Sequence, residues 1–309
     1  MDKFTDSVVT TAIAGSIRPY ASRLHLPEPN SHKGQNGKLL IVGGSQLFHS
    51  ASIWAAEIAS HFVDMVHYAS TEENNQILLS LKKKFINGMV VSRQELDLYV
   101  DEDDSVLIGP GMMRSSRRFF LKAAASLNSI LRLKDEGELT YRLTDYLLHR
   151  HPNKQWVIDA GALQMMDKNW LLDLSRPAII TPHQQEFTRL FGVELSENKD
   201  KKKNQLRQIA GRYRSLILLK TGVSDFVSDG RIVIEIRGGN AGLTKGGSGD
   251  VLAGLTAAFS TRNPPLVAAV TASYCLKKAA DVLFQKNKYW YNIDNLIDII
   301  PTLVAKSGV

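Results

Sequence analysis

Six short, mostly apolar runs constrain this chain more than any other feature: KLLIV (38–42), MVHYA (65–69), SVLI (105–108), WVI (156–158), AII (178–180) and LILL (216–219). None is long enough for a helix of its own, and segments with helical spacing lie between them: ASIWAAEIASHF (51–62), RRFFLKAAASLNSILRL (117–133) and NQLRQIAGRYR (204–214). A strand that alternates polar and apolar residues has one wet face; a continuously apolar one is covered on both. Such strands alternating with helices predict an α/β sandwich around a mostly parallel sheet. DFVSDGRIVIEIR (225–237) adds a hairpin turning at Asp229–Gly230, and helices are expected over 250–260, 264–285 and 292–305. Before the regular pattern begins, 6–17 reads as a helix, and Pro19, Pro27 and Pro29 interrupt the segment after it. Residues 1–30 are therefore a leader draped over one domain, 31–309, since no linker divides the rest.

Composition narrows the function classes. The 309 residues are 44% hydrophobic and 22% charged, an ordinary globular balance. The net charge of +7 is concentrated in runs such as Lys82–Lys84 and Lys201–Lys203 without interleaved aromatics, which suits solvated faces and phosphate-bearing small ligands, not nucleic acid. The one cysteine, Cys275, lies in an apolar helical stretch and reads as a buried thiol. The acidic, threonine-rich start does not resemble a signal peptide, and no apolar run reaches membrane-spanning length, so the cytoplasm is the expected compartment.

The strand ends carry the chemistry. They run into Gly43-Gly44-Ser45, Gly109-Pro110-Gly111, Asp159-Ala160-Gly161, Thr181-Pro182-His183 and Lys220-Thr221-Gly222. In an open parallel sheet the ligand crevice lies beyond those ends. The stretch GGNAGLTKGGSGDVLAG (238–254) then delivers Gly246-Gly247-Ser248-Gly249-Asp250 to the start of a helix. Unpaired amides and the positive end of the helix dipole attract anions there, and glycines let a phosphate approach the backbone. Asp250 either caps the helix or serves as a general base that takes a hydroxyl proton while the oxygen attacks a phosphate. The glycines before it and the apolar helix after it favour the base. No P-loop, dinucleotide fingerprint or His-Glu-x-x-His spacing occurs, and no metal ligand set is identified.

HKGQNGKLLIVGGS (32–45), VLIGPG (106–111), VIDAGAL (157–163), IITPHQQEFTRLFG (179–192), ILLKTG (217–222) and GNAGLTKGGSGDVLAG (239–254) follow a known order and spacing. The chain resembles the ADP/ATP-dependent NAD(P)H-hydrate dehydratases, members of the ribokinase-like superfamily. The resemblance implies a three-layer α/β/α sandwich and repair of hydrated nicotinamide cofactors, NAD(P)HX. ADP or ATP with Mg²⁺ phosphorylates the ring hydroxyl, and loss of phosphate restores NAD(P)H. It further implies Asp250 as base, Gly247, Ser248 and Gly249 around the transferring phosphoryl group, and Lys220, Thr221, Gly222, Val223 and Ser224 on the nucleotide. Ala51, Gly111 and His183 fall at substrate positions, alongside Asp250. Glu186 belongs to the same motif as His183.

Some of these residues have a second reading. His183 could hold the turn after Pro182, Lys220 could be a solvated strand end, and Asp159 could form a turn or orient water or metal. Asn240 could bond the glycine loop instead of ligand. Ser50, Met112 and Met113 depart from the family pattern on the substrate side, with the methionines expected to crowd a ligand-facing turn. The resemblance also implies a homo-oligomer, dimer or tetramer, and a separate NAD(P)HX epimerase acting alongside. Two other readings stand beside it: a ribokinase-like kinase for a vitamin precursor, and a non-catalytic nucleotide-binding relative.

Overall fold

The computed structural model describes residues 5–81, 87–117, 119, 126–222 and 224–308. Ten strands form one sheet: β1 (Ser7–Thr10), β2 (Lys38–Val42), β3 (Met65–Ala69), β4 (Gly88–Val90), β5 (Ser105–Ile108), β6 (Gln155–Ile158), β7 (Ile179–Ile180), β8 (Leu216–Leu219), β9 (Ser224–Ser228) and β10 (Val233–Arg237). Their order is β1-β10-β9-β8-β7-β6-β5-β2-β3-β4. All pairs are parallel except those of β9, which runs antiparallel to both β8 and β10 and makes the expected hairpin.

Alternate residues of the central strands feed two separate cores. Leu39 and Ile41 face one, Leu40 and Val42 the other. The first core is covered by the helices Ser50–Ala59, Ser248–Ser260, Pro265–Asn287 and Ile293–Lys306, and the second by Glu136–Arg150, Gln184–Phe191 and Lys199–Arg212 among others. This is the three-layer sandwich that the apolar runs called for. Helices Ser50–Ala59 and Ser248–Ser260 approach so closely that a Cβ on Gly254 would come within 2.5 Å of the Ala55 carbonyl. Cys275 is fully buried in its helix, and burial pushes its thiol up to about 12. Among the described residues no helix is long and apolar enough to cross a membrane.

The chain start departs from expectation. Residues 6–17 are not a helix: Ser7–Thr10 joins the sheet edge beside β10, with Val9 buried. Asp6 accepts from the Val233 amide at 2.8 Å and pairs with Arg207. A free edge strand offers unpaired backbone groups, and that tertiary demand overrides a weak helical pattern. The helix expected over 117–133 is also broken. Ser126 is extended and caps only the turn Leu127–Ile130, while 118 and 120–125 lie outside the described residues. Lys82–Lys84 lie outside them too. Helix Glu136–Arg150, capped by Asp135, and the edge strand β4 carried no expectation.

Neighbouring strand ends are stitched together where they leave the sheet. Gly44 N donates to Pro110 O at 2.8 Å, Asp159 N to Ile108 O at 3.0 Å, Thr181 N to Ile158 O at 3.2 Å and Lys220 N to Pro182 O at 2.8 Å. Strand order reverses between β2 and β5, because the chain goes outward through β3 and β4 and returns on the other side of β2. That reversal opens a crevice above the carboxyl ends.

Candidate active site

Gly247 starts the Ser248–Ser260 helix with φ of 105°, a left-handed conformation glycine adopts without strain. A Cβ there would lie 2.6 Å from the Trp54 ring and 2.8 Å from Ile293, so glycine is also required by contact. The Ser248 hydroxyl donates to Leu243 O at 2.6 Å, closing the preceding 3-10 turn onto the helix. Ser248 N and Val251 N find acceptors at Lys245 O and Gly247 O, but the Gly247 and Gly249 amides have none among the described residues. These free donors at a helix mouth form an anion cradle.

Asp250 stands half-buried beside the cradle. Its own backbone amide bonds the carboxylate and favours the charged form, but burial outweighs this. Burial, and then repulsion from Asp159 against the partial relief of Lys220, push its carboxyl from 3.8 to about 7. That one amide does not bring the carboxyl down to the range of a fully held helix cap; the group is poised to exchange a proton near neutral pH.

Lys220, at the end of β8, reaches under the cradle. Its Nζ donates to Asp159 Oδ1 at 2.9 Å and lies 3.6 Å from where a Gly249 Cβ would be. Burial opposes the ammonium charge, but Asp159 and Glu186 outweigh it and hold Lys220 above its ordinary pKa. Asp159 is 2% exposed and accepts a second bond, from Thr181 Oγ1 at 2.7 Å. It therefore orients the lysine, not merely a turn.

His183 does hold its turn. The amides of Gln185 and Glu186 donate to Nδ1 at 3.1 and 3.3 Å, and Glu186 Oε2 accepts from the His183 amide at 2.9 Å, a reciprocal cap. Nδ1 is thereby spent as an acceptor, and Nε2 lies 3.5 Å from Glu186 Oε1, on a side chain that is 47% exposed. Glu186 Oε1 accepts from Gln164 at 2.8 Å; nothing local in the sequence marked Gln164.

Other expected residues serve as scaffold. Asn240 is engaged in scaffold bonds: its oxygen accepts from Gly242 N at 3.0 Å and Tyr291 OH at 2.8 Å, and its amide donates to Ala280 O at 2.9 Å. Thr221 Oγ1 is closed onto Ser224 within their own turn, and Ser224 Oγ donates to Glu235 Oε1 at 3.2 Å. Gly222 has open space on its side-chain face, and Val223 lies outside the described residues. A Cβ on Gly111 would stand 3.2 Å from Ala51 Cβ and 3.3 Å from Gly44 Cα, so these residues share one floor at the strand reversal. Met112 does not crowd it: its side chain is 5% exposed and packs in the second core, whereas Met113 is half-buried. Ser50 opens its helix, exposed, with no cap from the preceding His49.

The sequence profile of the NAD(P)H-hydrate dehydratases matches residues 39–302. The bifunctional NAD(P)H-hydrate repair enzyme Nnr of Methanocaldococcus jannaschii is 32% identical over 285 residues, covering 90% of this chain and 50% of its own. The chain thus spans about half the length of the bifunctional relatives it matches. The ADP-dependent (S)-NAD(P)H-hydrate dehydratase of Cenarchaeum symbiosum is 29% identical over 289 residues, covering 89% of this chain and 91% of its own. In fold, the chain is similar to the ADP/ATP-dependent NAD(P)H-hydrate dehydratase of Bacillus subtilis, co-crystallized with ATP/Mg²⁺, with a TM-score of 0.74 and 20% identity over 95% of this chain and 97% of that one. With a family profile running from β2 into the last helix, through every strand end of the crevice, the chain belongs to the NAD(P)H-hydrate dehydratase family.

Proposed function

We propose that this protein is an ADP- or ATP-dependent NAD(P)H-hydrate dehydratase. The observation that carries the reading is Asp250, its carboxyl raised to about 7 at the mouth of an anion-cradling helix. The hydroxyl of the hydrated ring lies against Asp250, on the floor of Gly44, Ala51 and Gly111, and Asp250 withdraws its proton. The freed oxygen attacks the terminal phosphoryl group of the nucleotide, whose developing charge meets the Gly247 and Gly249 amides and Lys220. Asp159 keeps Lys220 under the cradle. Departure of phosphate from the ring carbon, with loss of the neighbouring ring proton, restores the reduced nicotinamide. The turn at Lys220–Ser224 takes the nucleotide through its backbone, since the Thr221 and Ser224 hydroxyls are already engaged. His183 meets the substrate with the exposed part of its ring, which Glu186 holds in place.

Magnesium would enter on the nucleotide phosphates. Among the described residues no three His, Cys, Asp or Glu side chains are grouped to hold a metal, and Asp159 and Glu186 already accept bonds from four donor groups. A nucleotide-borne ion needs few protein ligands, so the site suits it without a dedicated cage. The same reading takes the protein as a homo-oligomer and leaves epimerisation of the hydrate to another protein or domain.

The test is incubation with hydrated NADH or NADPH and ADP or ATP. Recovery of the reduced-nicotinamide absorbance, with stoichiometric release of inorganic phosphate, is expected. Phosphate transfer to a vitamin-like alcohol without recovery would instead identify a kinase, and no turnover of either would leave a nucleotide-binding relative.

A further inference from the structure

Arg93 carries a buried charge that Glu136 favours only from beyond ion-pair distance. Ser92 caps a single 3-10 turn, Arg93–Glu95, by accepting from the Gln94 amide, and the turn swings the guanidinium inward. Behind the Gly43–Gly44 corner, Nη2 donates to Gly43 O at 2.8 Å and to Gly44 O at 3.4 Å. Nε has no partner among the described residues. Nor does Nη1 make a bond with them, and none of their carboxylates comes within ion-pair distance. The residue is only 9% exposed, and burial pulls its pKa down to about 10. Arginine still keeps its proton there, and a buried charge is ordinarily paired because desolvating it alone is costly.

A cavity of about 580 Å³ opens on this side chain at the carboxyl ends of β3 and β4. Lys134 and the Ser70 segment line it with further donors, while Glu72, Glu73 and Glu136 stand around it as acceptors. Two of these carboxylates have bonds of their own: Glu136 accepts from the Gln46 amide at 2.9 Å, and Glu72 from the Gln76 side chain at 2.9 Å. Cations together with carboxylates in one cavity suit a ligand that brings both an anion and hydroxyl groups. That pattern fits a sugar phosphate better than a bare anion, which the three carboxylates would repel.

We propose that this cavity binds a phosphate ester of the dinucleotide substrate, with Arg93 as its anchor and the carboxylates taking hydroxyls of the attached ribose. The Gly43–Gly44 corner is the shared wall. Arg93 braces it from behind, and its other side meets Gly111 on the floor assigned to the hydrated ring. A dinucleotide whose ring lies on that floor extends past the corner, and its phosphates then reach the cavity. The assignment to the dinucleotide rests on the proposed function; the need of Arg93 for an anion does not.

The experiment measures equilibrium binding of NADH, of ribose 5-phosphate and of ADP to the full chain, in wild type, Arg93→Met, Arg93→Lys and Lys134→Glu. Loss of a charge-assisted contact is expected to weaken NADH binding about ten- to a hundredfold in Arg93→Met, with partial recovery in Arg93→Lys. Lys134→Glu, which leaves the braced corner untouched, should weaken NADH in the same direction and carries the test if Arg93→Met does not fold. ADP affinity should stay within about twofold throughout, which a general loosening of the crevice would not allow. Unchanged NADH binding in both Arg93→Met and Lys134→Glu overturns the proposal. Loss of ribose 5-phosphate binding with NADH binding intact overturns the assignment to the dinucleotide in favour of a free sugar phosphate. These readouts need no turnover, so an inactive protein in the repair assay would leave them interpretable.

Discussion

Replacing Asp250 with asparagine keeps the side-chain shape and removes a charge that the site resists. The carboxyl moves from an ordinary 3.8 to about 7, mainly through burial. At about 1.36 kcal/mol per pH unit, that gap sets the folded state at most about 4 kcal/mol against the ionised group. The side chain is half-buried, so solvent screens part of this, and about 2 kcal/mol is the working figure. Because the folded pKa is the raised one, the unfolded chain releases this proton first as pH increases. Stability is therefore lost between about pH 4 and 7, and the full cost stands above 7. An asparagine side chain has no such proton to release. The Asp250→Asn protein should match wild type near pH 4 and exceed it by about 2 kcal/mol at pH 8, read as denaturant midpoints at the two pH values. Its repair turnover should fall by about 10²–10⁴. Equal stability differences at both pH values would refute the strained carboxylate, and turnover within about tenfold of wild type would refute the base.

Three further outcomes rest on the same geometry. Gly247→Ala should cost about 2–4 kcal/mol in thermal or chemical denaturation, because the new methyl meets Trp54 and Ile293 below 3 Å in a left-handed backbone. Gly249→Ala meets only Lys220 Nζ, at an ordinary 3.6 Å, so melting should hardly change while the KM for ADP or ATP rises about tenfold through a methyl on the cradle. Asp159→Asn removes the second cause of the raised Asp250 pKa and frees Lys220 to pair with Asp250. The acid limb of the pH–rate profile should move to lower pH, and an upward move would contradict the arrangement.

Properties decided by few neighbours were legible in the sequence. KLLIV and LILL read as doubly covered strands because both faces are apolar, and the Gly, Asp and Lys residues after them read as crevice because turns and charges have nowhere else to go in such a sheet. The placement of Asp250 at a helix start and of Lys220 at a strand end was legible from the glycines and the apolar run around them. Residues whose role depends on distant partners were not. Ser7–Thr10 becomes a strand only because β10 needs an edge partner, Asn240 is taken up by Ala280 and Tyr291, and Met112 turns into a core that its own neighbours do not announce. Arg93 looks like a surface arginine in the run SRQE; the corner of β2, fifty residues earlier, buries it.

The pH dependence of kcat/KM for repair of hydrated NADH by the wild-type enzyme tests the central assignment most directly. One ionisation near pH 7 is predicted, with activity rising about tenfold per unit below it as Asp250 loses its proton and levelling off above. A profile that is flat across pH 5–8, or that turns near 4 as an unstrained carboxylate would, contradicts the claim that this half-buried aspartate starts the reaction.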